Sequence, residues 1–97
     1  MGVSDALWEI ECAIEDVFGQ PGRTVDRQTA QARRSIYEQT LVDVEQWAGS
    51  EAMHSLSHWI EREIRAGERL PTGHEVRQIG TEICRRTIPA DGSPPIL

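Results

Sequence analysis

Apolar residues recur about every 3.6 positions through most of this chain, and this spacing limits its fold more than any other feature. Four such segments are separated by glycine, proline and serine residues, which are typical of helix ends. No segment alternates regularly between apolar and polar residues, as a half-buried strand does. We therefore predict an all-α fold: a compact bundle of about four helices forming a single domain over residues 1–88, with a short, flexible proline-rich tail over 89–97.

Local capping signals set the expected ends of the helices. Ser4 is the predicted N-cap of the first helix. Gly49 followed by Ser50 predicts a sharp corner, in which the glycine ends the second helix and the serine caps the third. Gly67 is expected to end the third helix. The predicted helices cover residues 4–18, 26–48, 51–66 and 72–87.

Three further features concern how these helices start and pack. Thr72 and Glu75 are spaced as the capping box of the fourth helix. Gly80 lies on the apolar face of that helix, where it either lets another helix approach closely or marks a turn that divides the segment. Arg33 lies on the apolar face of the second helix. Its alkyl stem either covers apolar surface while the guanidinium stays in water, or the guanidinium forms a buried ion pair.

Length, charge and cysteine content exclude several classes of protein. The 97 residues suit one domain, no run approaches the roughly 20 apolar residues of a membrane helix, and the first residues lack the basic start of a signal peptide. Cys12 and Cys84 form neither a paired redox motif nor a metal knuckle, so we expect reduced thiols in a cytoplasmic protein with no membrane partner. The net charge of −6 opposes general affinity for nucleic acid.

The histidines of the third helix are the best candidates for metal binding. His54 and His58 are one helical turn apart with Glu61 on the same face, a spacing that suits Zn²⁺. That face also carries Arg65, no fourth ligand is evident, and Ser55 stands where a metalloprotease HExxH motif has glutamate. We expect a solvated face on which Glu61 pairs with Arg65. No cysteine and histidine are spaced as in thiol enzymes, so we expect no catalytic residue, no metal and no cofactor.

Surplus aromatic residues favour a role in protein interaction. Trp8 and Cys12 project from the polar side of the first helix, and the second helix has an apolar face, including Tyr37 and Trp47, that is wider than one neighbour can cover. Large aromatic residues are enriched at the centres of protein interfaces. The leading hypothesis is therefore a non-catalytic helical interaction module that forms a homodimer, with an unidentified protein partner as a further possibility.

Residues 64–88 supply the alternative hypothesis. A charged helix is followed by Leu70-Pro71-Thr72, a capped helix, Gly80 and the Arg85-Arg86 pair. In this quarter of the chain the sequence resembles the winged-helix repressors of the GntR type. The resemblance implies a small helix-turn-helix-like DNA-binding regulator in which Arg77, Arg85 and Arg86 contact nucleic acid. The sequence departs from that family after Gly80, where the remaining segment is short and no wing strands follow.

Overall fold

A computed structural model of the chain describes residues 2–19 and 27–87. These residues form four α-helices, α1 (Val3–Phe18), α2 (Arg27–Ala48), α3 (Ser50–Gly67) and α4 (Gly73–Thr87), and the described ranges contain no strand. The predicted all-α fold of four helices is confirmed. The predicted tail over 89–97 lies outside the described residues.

The helices α2 and α3 form an antiparallel pair at the centre of the fold. Gly49 is the one residue between them, and Arg33, near the start of α2, donates a 3.0 Å hydrogen bond to the carbonyl of Leu70, just after α3 ends. Both α1 and α4 pack against each member of this pair, but they do not contact each other within residues 3–18 and 73–87. They therefore lie on opposite sides of the α2–α3 pair.

The core is formed by the apolar faces of all four helices. Their spacing in the sequence places the buried side chains of each helix on its inner face, as the periodicity predicts. Leu70, in the connection between α3 and α4, adds to this core. Burial of this surface is the main favourable contribution to folding. The buried apolar residues are Ala6, Leu7, Ile10, Ala13, Tyr37, Leu41, Val44, Ala52, Met53, Leu56, Ile60, Ile64, Leu70, Val76 and Ile83.

Gly80 lies at a close approach between α4 and α2. A Cβ atom placed on Gly80 would lie 3.2 Å from Cγ2 of Val44 and 3.3 Å from Cγ2 of Thr40. The helix continues without a break from Gly73 to Thr87. The expected close approach is confirmed and the alternative of a turn at this glycine is wrong, because the position contributes to helix packing.

The helix ends differ from the prediction at the caps of α1 and α3. Ser4 and Ser50 both lie inside helices, and the cap positions are occupied by Gly2 and Gly49, neither of which makes a side-chain cap bond. Gly49 has φ of 95°, a left-handed value that only glycine adopts without strain. The third helix includes Gly67, and the left-handed residue that follows it is Glu68, with φ of 52°.

The connection between α3 and α4 is fixed to α2 by two side chains. The hydroxyl of Tyr37 donates to the Pro71 carbonyl at 2.5 Å, and Arg33 donates to the carbonyls of Leu70 at 3.0 Å and Pro71 at 3.4 Å. Arg33 is half-buried and its guanidinium binds backbone oxygen atoms rather than a carboxylate. Burial raises the pKa of Tyr37 to about 12.

The predicted capping box at the start of α4 is confirmed. The Glu75 amide donates to Oγ1 of Thr72 at 3.1 Å, and the Thr72 amide donates to Oε1 of Glu75 at 2.9 Å. Arg69 also donates to both carboxylate oxygens of Glu75, at 2.9 Å each, and to Glu63 at 2.9 Å. The Arg69 bonds, followed by the Thr72 amide, lower the pKa of Glu75 to about 2.

Candidate interaction surface

Two tryptophans are the large hydrophobic residues left exposed among those the structure describes. Trp8 on α1 is 65% exposed and Trp47 at the end of α2 is 49% exposed. Water contact at such large apolar side chains is unfavourable, and exposed aromatic surface is typical of interaction sites. Cys12 is half-buried, one helical turn after Trp8. These residues are the part of the predicted interaction set that lies at the surface.

Tyr37 does not belong to that surface. Its side chain is fully buried within its own chain, because the connection between α3 and α4 covers it and the Pro71 carbonyl accepts its hydroxyl proton. The expectation that Tyr37 contacts another molecule is therefore wrong. On the wide apolar face of α2, Trp47 is the large side chain that stays exposed among the described residues.

A groove of about 560 Å³ runs between α2 and α4 beside Trp47. Its more buried, mainly apolar floor is lined by Val44, Gly80 and Cys84 together with Thr40, and the exposed residues Thr81 and Trp47 also line it. The groove exists because α4 approaches α2 closely at Gly80 and the small residues that follow fill little of the space beside it. A shallow apolar channel of this kind fits an aromatic side chain or one face of a helix.

Arg77 and Arg85 from α4 and Asp43 from α2 lie along the same groove. Three other arginines of the described ranges, Arg34, Arg65 and Arg69, form ion pairs with carboxylates. Neither Arg77 nor Arg85 forms one with any residue of 2–19 or 27–87. Their charges are therefore available to a carboxylate or phosphate from outside the chain.

The structure brings together residues that the sequence assigned to competing hypotheses. Trp47 was expected in a protein interface, and Arg77 and Arg85 were expected to contact nucleic acid, yet all three line one groove. Arg86 does not line it; its Nε donates to the Glu82 carbonyl at 3.5 Å. The sequence signal that could have indicated this grouping is the small residue at position 80, which marks where two helices meet.

The histidine face of α3 gathers no metal ligands. Within the described ranges, no three histidine, cysteine, aspartate or glutamate residues lie close enough to hold a metal ion. The carboxylate of Glu61 instead accepts a 3.5 Å bond from Arg65, as expected, and Arg65 also donates to Asp16 on α1 at 2.9 Å. Burial raises the pKa of the Cys84 thiol, so less of it is the reactive thiolate at neutral pH.

Comparison with known proteins adds no further constraint. No protein-family model, no curated protein and no solved structure matches this chain. The helix-turn-helix arrangement implied by the resemblance to GntR-type repressors requires a turn at Gly80, where α4 is unbroken. No helix in the described part of the chain is both long enough and apolar enough to cross a membrane.

Proposed function

We propose that this protein is a non-catalytic interaction module that self-associates through the groove between α2 and α4, with a dimer as its smallest assembly. The observation that carries the proposal is the position of Trp47, half-exposed beside an apolar groove of about 560 Å³. A partner that covers this tryptophan and this groove removes apolar surface from water. Each Å² of apolar surface buried stabilises the complex by roughly 25 cal/mol.

A second copy of the chain is the occupant that the charges favour. The groove carries two arginines without ion pairs in the described ranges, whereas the whole chain has a net charge of −6. A molecule with excess carboxylates therefore complements this surface, and the chain itself is such a molecule. A small single domain also has a high ratio of surface to volume, so association stabilises it.

Sedimentation equilibrium from low micromolar to several hundred micromolar tests this proposal. We expect the average mass of the wild-type protein to rise with concentration. Trp47→Ala should weaken association by about thirtyfold, because truncation of a central interface tryptophan costs about 2 kcal/mol. Gln46→Ala, an exposed position on the same turn that does not line the groove, is the matched control.

A second variant guards against loss of folding in the Trp47→Ala protein. Thr81 is exposed on α4 and lines the groove, so Thr81→Glu places a charge there without removing a core side chain. We expect it to weaken association while thermal unfolding stays close to that of the wild type. A wild-type mass that stays monomeric over the full concentration range would contradict the proposal.

A small DNA-binding regulator is the second candidate function. It is supported by α4, on which Arg77, Arg85 and Arg86 make no ion pair within the described ranges. Under this alternative, duplex binding weakens as salt rises, and each arginine replaced by glutamine lowers the slope of log affinity against log salt by about 1. Titration of a fluorescent DNA duplex with the protein, between about 50 and 200 mM salt, measures this affinity and tests whether the protein binds DNA. Binding that is absent at the lowest salt excludes this candidate.

We also propose a cytoplasmic location, where both thiols stay reduced. Cys12 and Cys84 are free, and they lie on α1 and α4, on opposite sides of the α2–α3 pair. A disulfide between them within one chain is therefore excluded by geometry, because bonded cysteines have Cα atoms within about 7 Å. Thiol alkylation during denaturing lysis of cells, followed by mass measurement, should show both cysteines modified.

A further inference from the structure

The geometry points to a head-to-tail contact in which the groove between α2 and α4 of one molecule binds the outer face of α1 from a second copy. This inference rests on the self-association proposed above and names the surface that fills the groove. It follows from three observations: an exposed acidic face on α1, the charges of the groove, and the positions of these two surfaces in the fold.

The outer face of α1 is an acidic stripe centred on a tryptophan. Asp5, Trp8, Cys12 and Glu15 are spaced three or four residues apart, so they form one line along the helix. Trp8 is 65% exposed, and Asp5 and Glu15 are also exposed. Neither carboxylate forms an ion pair within the described ranges. We call these four residues the α1 stripe.

Two of the other acids of α1 are already engaged within the molecule. Glu11 pairs with Arg34 of α2, and Asp16 pairs with Arg65 of α3 at 2.9 Å. These pairs tie α1 to the central helices along the two flanks of the α1 stripe, because Glu11 is three residues after Trp8 and Asp16 follows Glu15. Asp5, Glu9 and Glu15 therefore remain available around the exposed tryptophan, within the residues that the structure describes. An acidic helix face with a central tryptophan suits a basic, apolar groove.

The α1 stripe matches the groove in both spacing and charge. Arg77 and Arg85 are eight residues apart on α4, about 12 Å along the helix axis, and Asp5 and Glu15 are ten residues apart on α1, about 15 Å. The long arginine side chains can span the difference of about 3 Å. Trp8 lies between the two carboxylates, opposite the apolar floor. Asp43 offsets one of the two groove arginines, so the groove keeps a net positive charge.

The fold prevents a chain from satisfying this contact by itself. Because α1 and α4 lie on opposite sides of the α2–α3 pair, the α1 stripe cannot reach the groove of its own chain. When a second copy inserts its stripe, its own groove remains open to a third. The contact is therefore heterologous, and it generates a ring or a filament rather than a closed two-fold dimer.

Mixing two single variants tests this arrangement directly. Trp8→Ala removes the tryptophan of the α1 stripe but leaves the groove intact, and Trp47→Ala damages the groove but leaves the stripe intact. We expect each variant alone to associate about thirtyfold more weakly than the wild type. An equimolar mixture should restore tight association but stop at two chains, because neither end of the mixed pair can be extended. Sedimentation velocity distinguishes this complex of two chains from the larger wild-type assemblies.

The other outcomes separate this inference from the proposed function. If Trp8→Ala assembles like the wild type while Trp47→Ala does not, the groove binds some other surface of a second copy, and the head-to-tail contact is wrong. A wild-type protein that remains monomeric overturns both. If circular dichroism shows that Trp47→Ala is poorly folded, Thr81→Glu takes its place in the mixing experiment as the variant with a damaged groove.

Two charge-reversal variants, one in the groove and one outside it, test the electrostatic contribution to the proposed contact. Arg85→Glu should weaken wild-type association by at least tenfold, since like charges would then face each other across the contact. Arg62→Glu makes the same change in net charge at an exposed position on α3 that does not line the groove, and it should leave association unchanged. Equal effects of the two variants would mean that net charge, rather than this contact, controls assembly.

Discussion

Stability at alkaline pH depends chiefly on one buried phenol, with a smaller contribution from the Cys84 thiol. The chain contains one tyrosine and no lysine, so between about pH 10 and 12 Tyr37 titrates almost alone. Burial raises the pKa of Tyr37 from the model-compound value of 10.0 to about 12 in the folded chain. The folded state thus holds its proton more tightly than the unfolded state does. Stability is complete below pH 10 and falls as pH rises towards 12.

The size of this effect follows from the two pKa values. At pH 11 the unfolded phenol is mostly ionised and the folded phenol mostly neutral, so linkage predicts a loss of about 1.4 kcal/mol relative to pH 8. For a domain of this length, 1 kcal/mol corresponds to about 4–8 °C in melting temperature. Tyr37→Phe should remove the pH dependence in this window. It should also cost about 1 kcal/mol at neutral pH, because the 2.5 Å bond to the Pro71 carbonyl is lost.

Two measurements check this prediction. Absorbance of tyrosinate near 295 nm gives the pKa of the folded protein, and urea unfolding at several pH values between 8 and 11.5 gives the stability. Cys84→Ala is the control, because this thiol also has a raised pKa and contributes at the lower end of the window. A phenol that titrates near 10 with stability unchanged up to pH 11 would refute the burial of its hydroxyl in the core.

Three further predictions concern helix ends and packing. Because the pKa of Glu75 is lowered, the ionised carboxylate and its cap add about 1 kcal/mol to the free energy of unfolding above pH 4.5, and this contribution is lost as pH falls towards 2. Urea unfolding of Glu75→Ala should therefore show a weaker loss of stability in acid than the wild type shows. Glu68→Gly should be about 1 kcal/mol more stable than Glu68→Ala in thermal unfolding, since φ is 52° there. Gly80→Leu should cost about 1–3 kcal/mol by crowding Val44, and an unchanged melting temperature would contradict that contact.

The periodic apolar pattern was sufficient to predict the helices but not their caps. The capping box at Thr72 could be read directly, because both of its partners lie within four residues. Ser4 and Ser50 were expected at cap positions that Gly2 and Gly49 occupy instead. Side-chain caps and glycine caps compete at such sites, and the tertiary position of the corner decides between them. Local sequence does not contain that information.

The candidate surface could be predicted residue by residue but not as a unit. Trp8 was correctly placed on the exposed side of α1, whereas Tyr37 and Trp47 were assigned together to the wide apolar face of α2. Trp47 is exposed, but Tyr37 is covered by Pro71, 34 positions away. Trp47 and Arg85 meet only because α4 packs along α2 at Gly80. Contacts between elements this far apart in sequence depend on how the helices pack, which the periodicity of one chain does not specify.

The absence of contact between α1 and α4 across the described ranges bears on the order of folding. One residue joins α2 to α3 and five residues join α3 to α4, so these three helices can meet with little loss of chain entropy. We therefore expect helix α1 to pack last, on the surface that these three helices form. We expect its amides to exchange with deuterium sooner than those at the centre of α3, and α1 substitutions to change the unfolding rate more than the folding rate.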